Sequence, residues 1–221
     1  MRTPFSPLYL LFLLAFALWI IISINLHLIT LTFEKLGLSP QSALLLMLTS
    51  LFGSMINLPL FTMRTNAPPS PMEMLYRGLL RPPRRPFTGR TLVAVNVGGC
   101  LVPLVFSFYL LRHSELGASR VFFAIAIVAA VSYAMSRPIP GLGIGMPILV
   151  APLTAATVAI LLGGEYRAPL AYIAGSLGVL IGADVLRLKD IRELGAPVAS
   201  IGGAGTFDGI FMTGLVAVLL S

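Results

Sequence analysis

The chain has 221 residues, of which 57% are hydrophobic and 10% charged, and a formal net charge of +7. Soluble domains carry roughly a quarter charged residues, so an ordinary water-soluble fold is excluded and residues 1–221 read as one domain whose main solvent is lipid. The excess of Lys and Arg lies in short connections between apolar runs, where it reports membrane orientation rather than a nucleic-acid partner. The single cysteine, Cys100, lies inside an apolar run and supports neither a disulfide framework nor a Cys-based metal site.

About 20 apolar residues cross the hydrocarbon core as a helix. On that length the sequence predicts an all-α bundle of about seven spans: Leu8–Thr32, Pro40–Thr62, Thr91–Leu111, Val121–Ser136, Met146–Leu162, Pro169–Val185 and Ile201–Leu220. The first run is longer than the roughly 7–15 apolar residues of a signal peptide and lacks a small-residue cleavage site, so it reads as a retained span. Between the second and third runs, residues 63–90 form a basic connection. Ser70-Pro71-Met72-Glu73 has the pattern of a capping box with Pro at the first helical position, which predicts a short amphipathic helix over 72–80. Arg81-Pro82-Pro83-Arg84-Arg85-Pro86 ends it. Such a helix can lie on anionic headgroups of the cytoplasmic leaflet; a plain solvated loop that only sets topology fits the same residues. Between the fourth and fifth runs, the Pro- and Gly-rich segment 137–147 excludes a regular helix and reads as either a re-entrant segment or a surface hairpin.

With seven spans, one side of the membrane holds Arg2 and the cations of the second, fourth and sixth connections, 11 in all, against 4 on the other side (Lys35, Arg112, Arg120 and Arg167). The positive-inside rule then predicts a cytoplasmic N-terminus and an external C-terminus in a multi-pass protein of the cell membrane.

A carboxylate at bilayer depth is costly, and such residues mark sites. Only Asp184, near the end of the sixth run, and Asp208, about seven residues into the seventh, fall in apolar runs. Antiparallel neighbours bring the two to similar depth. Carboxylates sharing one site hold a proton between them. They can then activate water on a peptide carbonyl, or bind a cation or relay protons in transport. For Asp184 a simple ion pair with Arg187, three residues on, competes with both readings. Around Asp208, Gly202, Gly203, Gly205 and Thr206 form a glycine-rich entry whose backbone can approach a ligand. Asn57 and Asn96 are further polar positions near the cytoplasmic ends of their runs, as interhelical glue or as substrate contacts. Ser50-Leu51-Phe52-Gly53 leading to Asn57 echoes Ser176-Leu177-Gly178 leading to Asp184, and Asn96-Val97-Gly98-Gly99 echoes Ser200-Ile201-Gly202-Gly203. This suggests two parallel repeats around one site. There is no HExxH and no nucleophile elbow, and no cofactor or metal is expected.

The string Gly195-Ala196-Pro197 … Ser200-Ile201-Gly202-Gly203-Ala204-Gly205-Thr206-Phe207-Asp208-Gly209-Ile210-Phe211, with Asn96-Val97-Gly98-Gly99-Cys100 and Ala168-Pro169-Leu170, resembles the prokaryotic membrane family DUF1614. That resemblance implies a prokaryotic plasma membrane and carries no activity. In arrangement the chain is also similar to the presenilin-type GxGD intramembrane aspartyl proteases. Those place one catalytic Asp in an inward-running span and a second in the next span, beside a glycine motif. That similarity implies Asp184 and Asp208 as the catalytic pair and a membrane peptide as substrate. Here two extra residues precede Asp208 and no Tyr precedes Asp184. The alternative expectation is a transporter or channel for an ion or small solute using the same aspartates.

Overall fold

Alternating Thr91, Val93 and Val95 in one apolar run, and Pro59 in another, foreshadow a departure from an all-helical chain, because β-branched residues favour a pleated surface and Pro cannot continue a helix. The computed structural model describes residues 28–65, 89–139, 143–203 and 209–221. These are mostly helical. The helices are α1 (Leu28–Lys35), α2 (Pro40–Gly53), α3 (Val102–His113), α4 (Ala118–Met135), α5 (Val150–Leu162), α6 (Arg167–Val179) and α7 (Gly209–Leu220). Two π-helical turns interrupt the regular pattern, Val97–Leu101 before α3 and Leu180–Val185 after α6.

The all-α expectation is corrected by five strands: β1 (Asn57–Arg64), β2 (Arg90–Asn96), β3 (Arg137–Ile139), β4 (Gly143–Gly145) and β5 (Val198–Ile201). The runs Pro40–Thr62 and Thr91–Leu111 therefore each join strand to helix, and Ile201–Leu220 begins on the last residue of β5. Hydropathy adds up apolar residues without distinguishing a period of 2 from one of 3.6. By length and composition two described helical segments can cross a membrane, Ala118–Met135 and Gly164–Val185. A third is possible if α1 and α2, bent by 105° at their junction, form one broken span. Of the run Leu8–Thr32, residues 8–27 lie outside the described residues.

β1 and β2 pair antiparallel from Asn57↔Asn96 to Arg64↔Arg90, with a shift between Pro59 and Phe61. The Thr65 amide extends this ladder to the Gly89 carbonyl (3.1 Å). The basic connection 63–90 thus leaves and re-enters through a β-hairpin; the helix predicted over 72–80 lies outside the described residues. β5 joins β2 in parallel, Leu92↔Val198 to Val95↔Ile201, so the sheet order is β1-β2-β5 with β5 at an edge. The segment 137–147 contains a separate two-stranded hairpin, β3 against β4.

The core centres on α6, where Leu170 through Ser176 are all buried and which packs on α3, α4, α5 and α7. Small residues permit these crossings, as expected for helices that associate in lipid. A Cβ on Gly178 would meet Val128, and one on Gly182 would meet the Ala129 carbonyl. Gly98 is tighter still: a Cβ there would overlap the Ser50 carbonyl and the Ser54 amide, so α2 rests directly on the backbone of the first π turn. Beyond the second π turn, Arg187 fastens the chain to the end of α4. Its Nη2 donates to the carbonyls of Tyr133 (2.7 Å) and Ser136 (2.8 Å), and its guanidinium lies 4.3 Å over the Tyr133 ring. These are the terminal carbonyls that a helix leaves without partners.

Candidate functional site

Asp184 lies in the π turn Leu180–Val185, at the point where α6 stops being regular. Inserted turns of this kind cluster at functional positions. The expected competitor for its charge is placed elsewhere: Arg187 pairs with Asp190 (Nη1 to Oδ2, 2.8 Å), and this is the one ion pair among the described residues. Asp184 is half-buried, and its Oδ2 accepts the Gly202 amide at 2.8 Å. Gly202 holds φ +82°, and a Cβ there would meet Cys100 and Gly99. Glycine at 202 is therefore a requirement of both the turn and its packing. The bond ties the end of α6 to the end of β5.

A cavity of about 610 Å³ opens beside this tie. Asp184, Val179 and Ala183 line it from α6 and its π turn, the whole of β5 lines a second wall, and Met212, Thr213 and Val216 of α7 a third. Ile144 and Met146, on and after β4, complete it. The lining is mainly apolar, with Asp184, Ser200 and Thr213 as its polar side chains, the usual character of a small-ligand site.

β5 brings backbone groups to the same space. The Leu92 amide donates to the Pro197 carbonyl at 3.0 Å, and alternation along a parallel ladder turns the amides and carbonyls of Val198 and Ser200 away from β2. The Ser200 carbonyl accepts the Gly203 amide (3.3 Å). No strand pairs with this outer edge among the described residues.

Asn57 and Asn96 meet, but outside the cavity lining. Asn96 is fully buried; its Nδ2 donates to the Ser54 carbonyl (2.7 Å) and to Asn57 Oδ1 (3.1 Å), and its Oδ1 accepts the Gly99 amide (2.8 Å). Ser200 Oγ also donates to Asn57 Oδ1, at 2.5 Å. The two amides thus join α2, β1, β2 and β5, each largely satisfied by protein groups.

Of the other predicted site residues, Gly203 lines the cavity, while Gly205, Thr206 and Asp208 lie outside the described residues. Reasoning from sequence missed three contributors: the edge of β5, Ser200 and Thr213. β5 carried a faint signal in Val198 and Ile201 next to Pro197, whereas a lone Thr in an apolar helix carries none. No group of three or more His, Cys, Asp or Glu among the described residues can hold a metal ion.

The family model described as "Protein of unknown function (DUF1614)" matches residues 51–220, from the end of α2 through α7. No curated protein and no solved structure matches the chain.

Proposed function

The chain belongs to the DUF1614 family, whose description assigns no activity, and from its own geometry we propose that it is an intramembrane aspartyl-protease-like hydrolase of extended peptides. The observation that carries this reading is the sharing of one cavity by a half-buried carboxylate, Asp184, and the outer edge of β5, neither of which has a cationic or strand partner among the described residues. An extended segment can add to such an edge through main-chain hydrogen bonds while apolar walls receive its side chains. Its carbonyls would then run past Asp184. The arrangement-level likeness to GxGD proteases adds an analogy but does not bear the weight.

In this proposal Asp184 and Asp208 share one proton. The ionised carboxylate takes a proton from water as the water oxygen bonds to the scissile carbonyl carbon, and the protonated partner gives its proton to the carbonyl oxygen. Collapse of the resulting diol breaks the C–N bond: the carboxyl protonated by water gives its proton to the departing amine and the other carboxylate takes the diol hydroxyl proton, which regenerates the pair. The protein is a multi-pass cell-membrane protein with its N-terminus in the cytoplasm and its C-terminus outside. The sheet lies at the wet cytoplasmic end, because an open edge has no partners in hydrocarbon. The basic residues of 63–90 face anionic lipid there.

The competing reading, passage of an ion or small solute, draws on the same carboxylate and on the interrupted α6 helix. It gains less from the geometry, because Asn57 and Asn96 bond each other and the backbone instead of lining the cavity. The deciding experiment reconstitutes the chain in liposomes with a membrane-helix substrate. Asp184→Asn and Asp208→Asn are each expected to abolish cleavage without loss of folded protein. Unchanged cleavage in either variant overturns the proposal, as does proton- or cation-coupled flux in the absence of any cleavage. A reporter fusion that reads a cytoplasmic C-terminus overturns the orientation.

A further inference from the structure

A second cavity, of about 510 Å³, lies between α2 and α3. Leu45, Leu46 and Thr49 line one wall, and Val102, Val105 and Tyr109 the other. It shares no lining residue with the cavity at Asp184. Leu45 and Val105 are about two-thirds exposed (67% and 66%), so the slot is open along its length. In water such an apolar slot would be a liability; in a membrane protein it is accessible to lipid chains.

Charge at one end selects among the occupants. Val102, Val105 and Tyr109 follow one face of α3 at helical spacing, and the same face continues at Arg112 and His113. The His113 ring stacks on Tyr109 (centroids 4.1 Å apart), with its Nδ1 donating to the Tyr109 carbonyl (2.8 Å) and its Nε2 left as the open ring position. Arg112 is exposed and forms no ion pair among the described residues. α2 runs antiparallel to α3 here: its C-terminal end touches Gly98 at the start of the π turn. That places Leu38 and Ser42, which also line the slot, at the Tyr109 end. The exposed hydroxyls of Ser39 and Ser42, 3.0 Å apart, add polar groups at that N-terminal end of α2. An apolar shaft that ends at the exposed Arg112 guanidinium matches an amphiphile with an anionic head. A second copy of the chain would have to present a convex apolar ridge with an acidic group at one end to fill the slot and meet Arg112.

We propose that this slot is a binding site for one anionic phospholipid, with an acyl chain between α2 and α3 and the phosphate at Arg112, beside His113. The site is independent of the peptide-hydrolase reading and of the basic connection 63–90. It holds a single lipid by shape and charge, whereas a basic loop attracts the membrane surface at large.

The test is native mass spectrometry of the full chain in mild detergent, with phosphatidylglycerol and phosphatidylcholine of identical chains supplied in competition. Wild type is expected to retain phosphatidylglycerol roughly fivefold better, the factor typical of one well-placed basic residue. The double variant Arg112→Gln, His113→Gln should level the two lipids, and Val105→Trp, which fills the slot from an exposed position, should remove both. Each variant is checked for an unchanged melting temperature in lipid-free detergent. Equal retention of both lipids by wild type overturns the proposal. So does a preference that survives the double variant, which would place the head group elsewhere, including at 63–90. A photo-crosslinker at position 105 should label lipid; adducts only with another copy of the chain, or with residues 1–27 of the same chain, also overturn it.

Discussion

β2 and β5 lie side by side in parallel, and each runs into a glycine pair, Gly98-Gly99 or Gly202-Gly203, before the next helix. Around the first, the buried side chain is an amide. Asn96 makes three hydrogen bonds at 2.7–3.1 Å, and α2 seals the turn so closely that Gly98 has no room for a Cβ. Around the second, the side chain is a carboxylate whose one donor among the described residues is the Gly202 amide, beside a cavity of about 610 Å³. A neutral amide whose partners are all protein groups does structural work, because leaving any of those groups unpaired is costly. A carboxylate that keeps acceptor capacity and faces open space can take a proton, a water or a ligand. The same local pattern therefore serves as a lock on one strand and as a candidate reaction centre on the other.

The contrast is broken most severely at Asn96. Asn96→Ala leaves the Ser54 carbonyl and the Gly99 amide without their side-chain partner in a fully buried position. It should destabilise the chain by about 3 kcal/mol or more, measured by denaturant unfolding in detergent. A loss below about 1 kcal/mol would mean that the network is dispensable.

Arg187 tests whether the Asp184 side needs its own anchor. Arg187→Lys keeps the charge but removes the fork that reaches Tyr133, Ser136 and Asp190 together, along with the stacking on Tyr133. A loss of about 2 kcal/mol is expected in the same assay. A hydrolase would show reduced kcat as well, because the π turn that bears Asp184 lies directly before this anchor.

Asp184→Asn sharpens the comparison by turning the second region into the amide type of the first. Its Oδ oxygen can still accept the Gly202 amide, so stability should change by no more than about 1 kcal/mol while cleavage is lost. A large stability loss would identify Asp184 as a structural acceptor. The smallest perturbation is Val198→Pro, which removes an amide that faces away from β2 and leaves the β2–β5 ladder in place. Melting should be almost unaffected, while binding of an extended peptide weakens by a few fold, the loss of about one net hydrogen bond. Peptide binding equal to wild type would show that the β5 edge is not used.

Of the candidate site, Asp184 was legible because the bilayer makes charge informative. Asp184 stands out in a run that otherwise has no reason to carry a carboxylate, and the glycines near β5 mark a close backbone approach. Asn57 and Asn96 were visible as polar positions, but their meeting was not, since their pairing depends on a strand register. The echo between Asn96–Gly99 and Ser200–Gly203 did correspond to neighbouring parallel strands. The ladder pairs Ala94 with Ser200, however, so the structural register differs by two residues from the sequence echo.

Composition and hydropathy alone pointed to a membrane protein built mostly of apolar helices, with the carboxylate of Asp184 in an apolar run, because transfer of apolar and charged groups between water and hydrocarbon depends on residue type. Tertiary structure decided the rest. The runs at 40–62 and 91–111 divide between helix and strand according to which backbone groups find partners across the hairpin. Arg187 turns to the end of α4 and Asp190 instead of to Asp184, because the carbonyls of Tyr133 and Ser136 are within its reach. And β5 becomes an edge beside a cavity only through its pairing with β2, more than 100 residues earlier. Residue type sets the cost of placing a group in lipid, but only the folded chain supplies or withholds the partners that offset it.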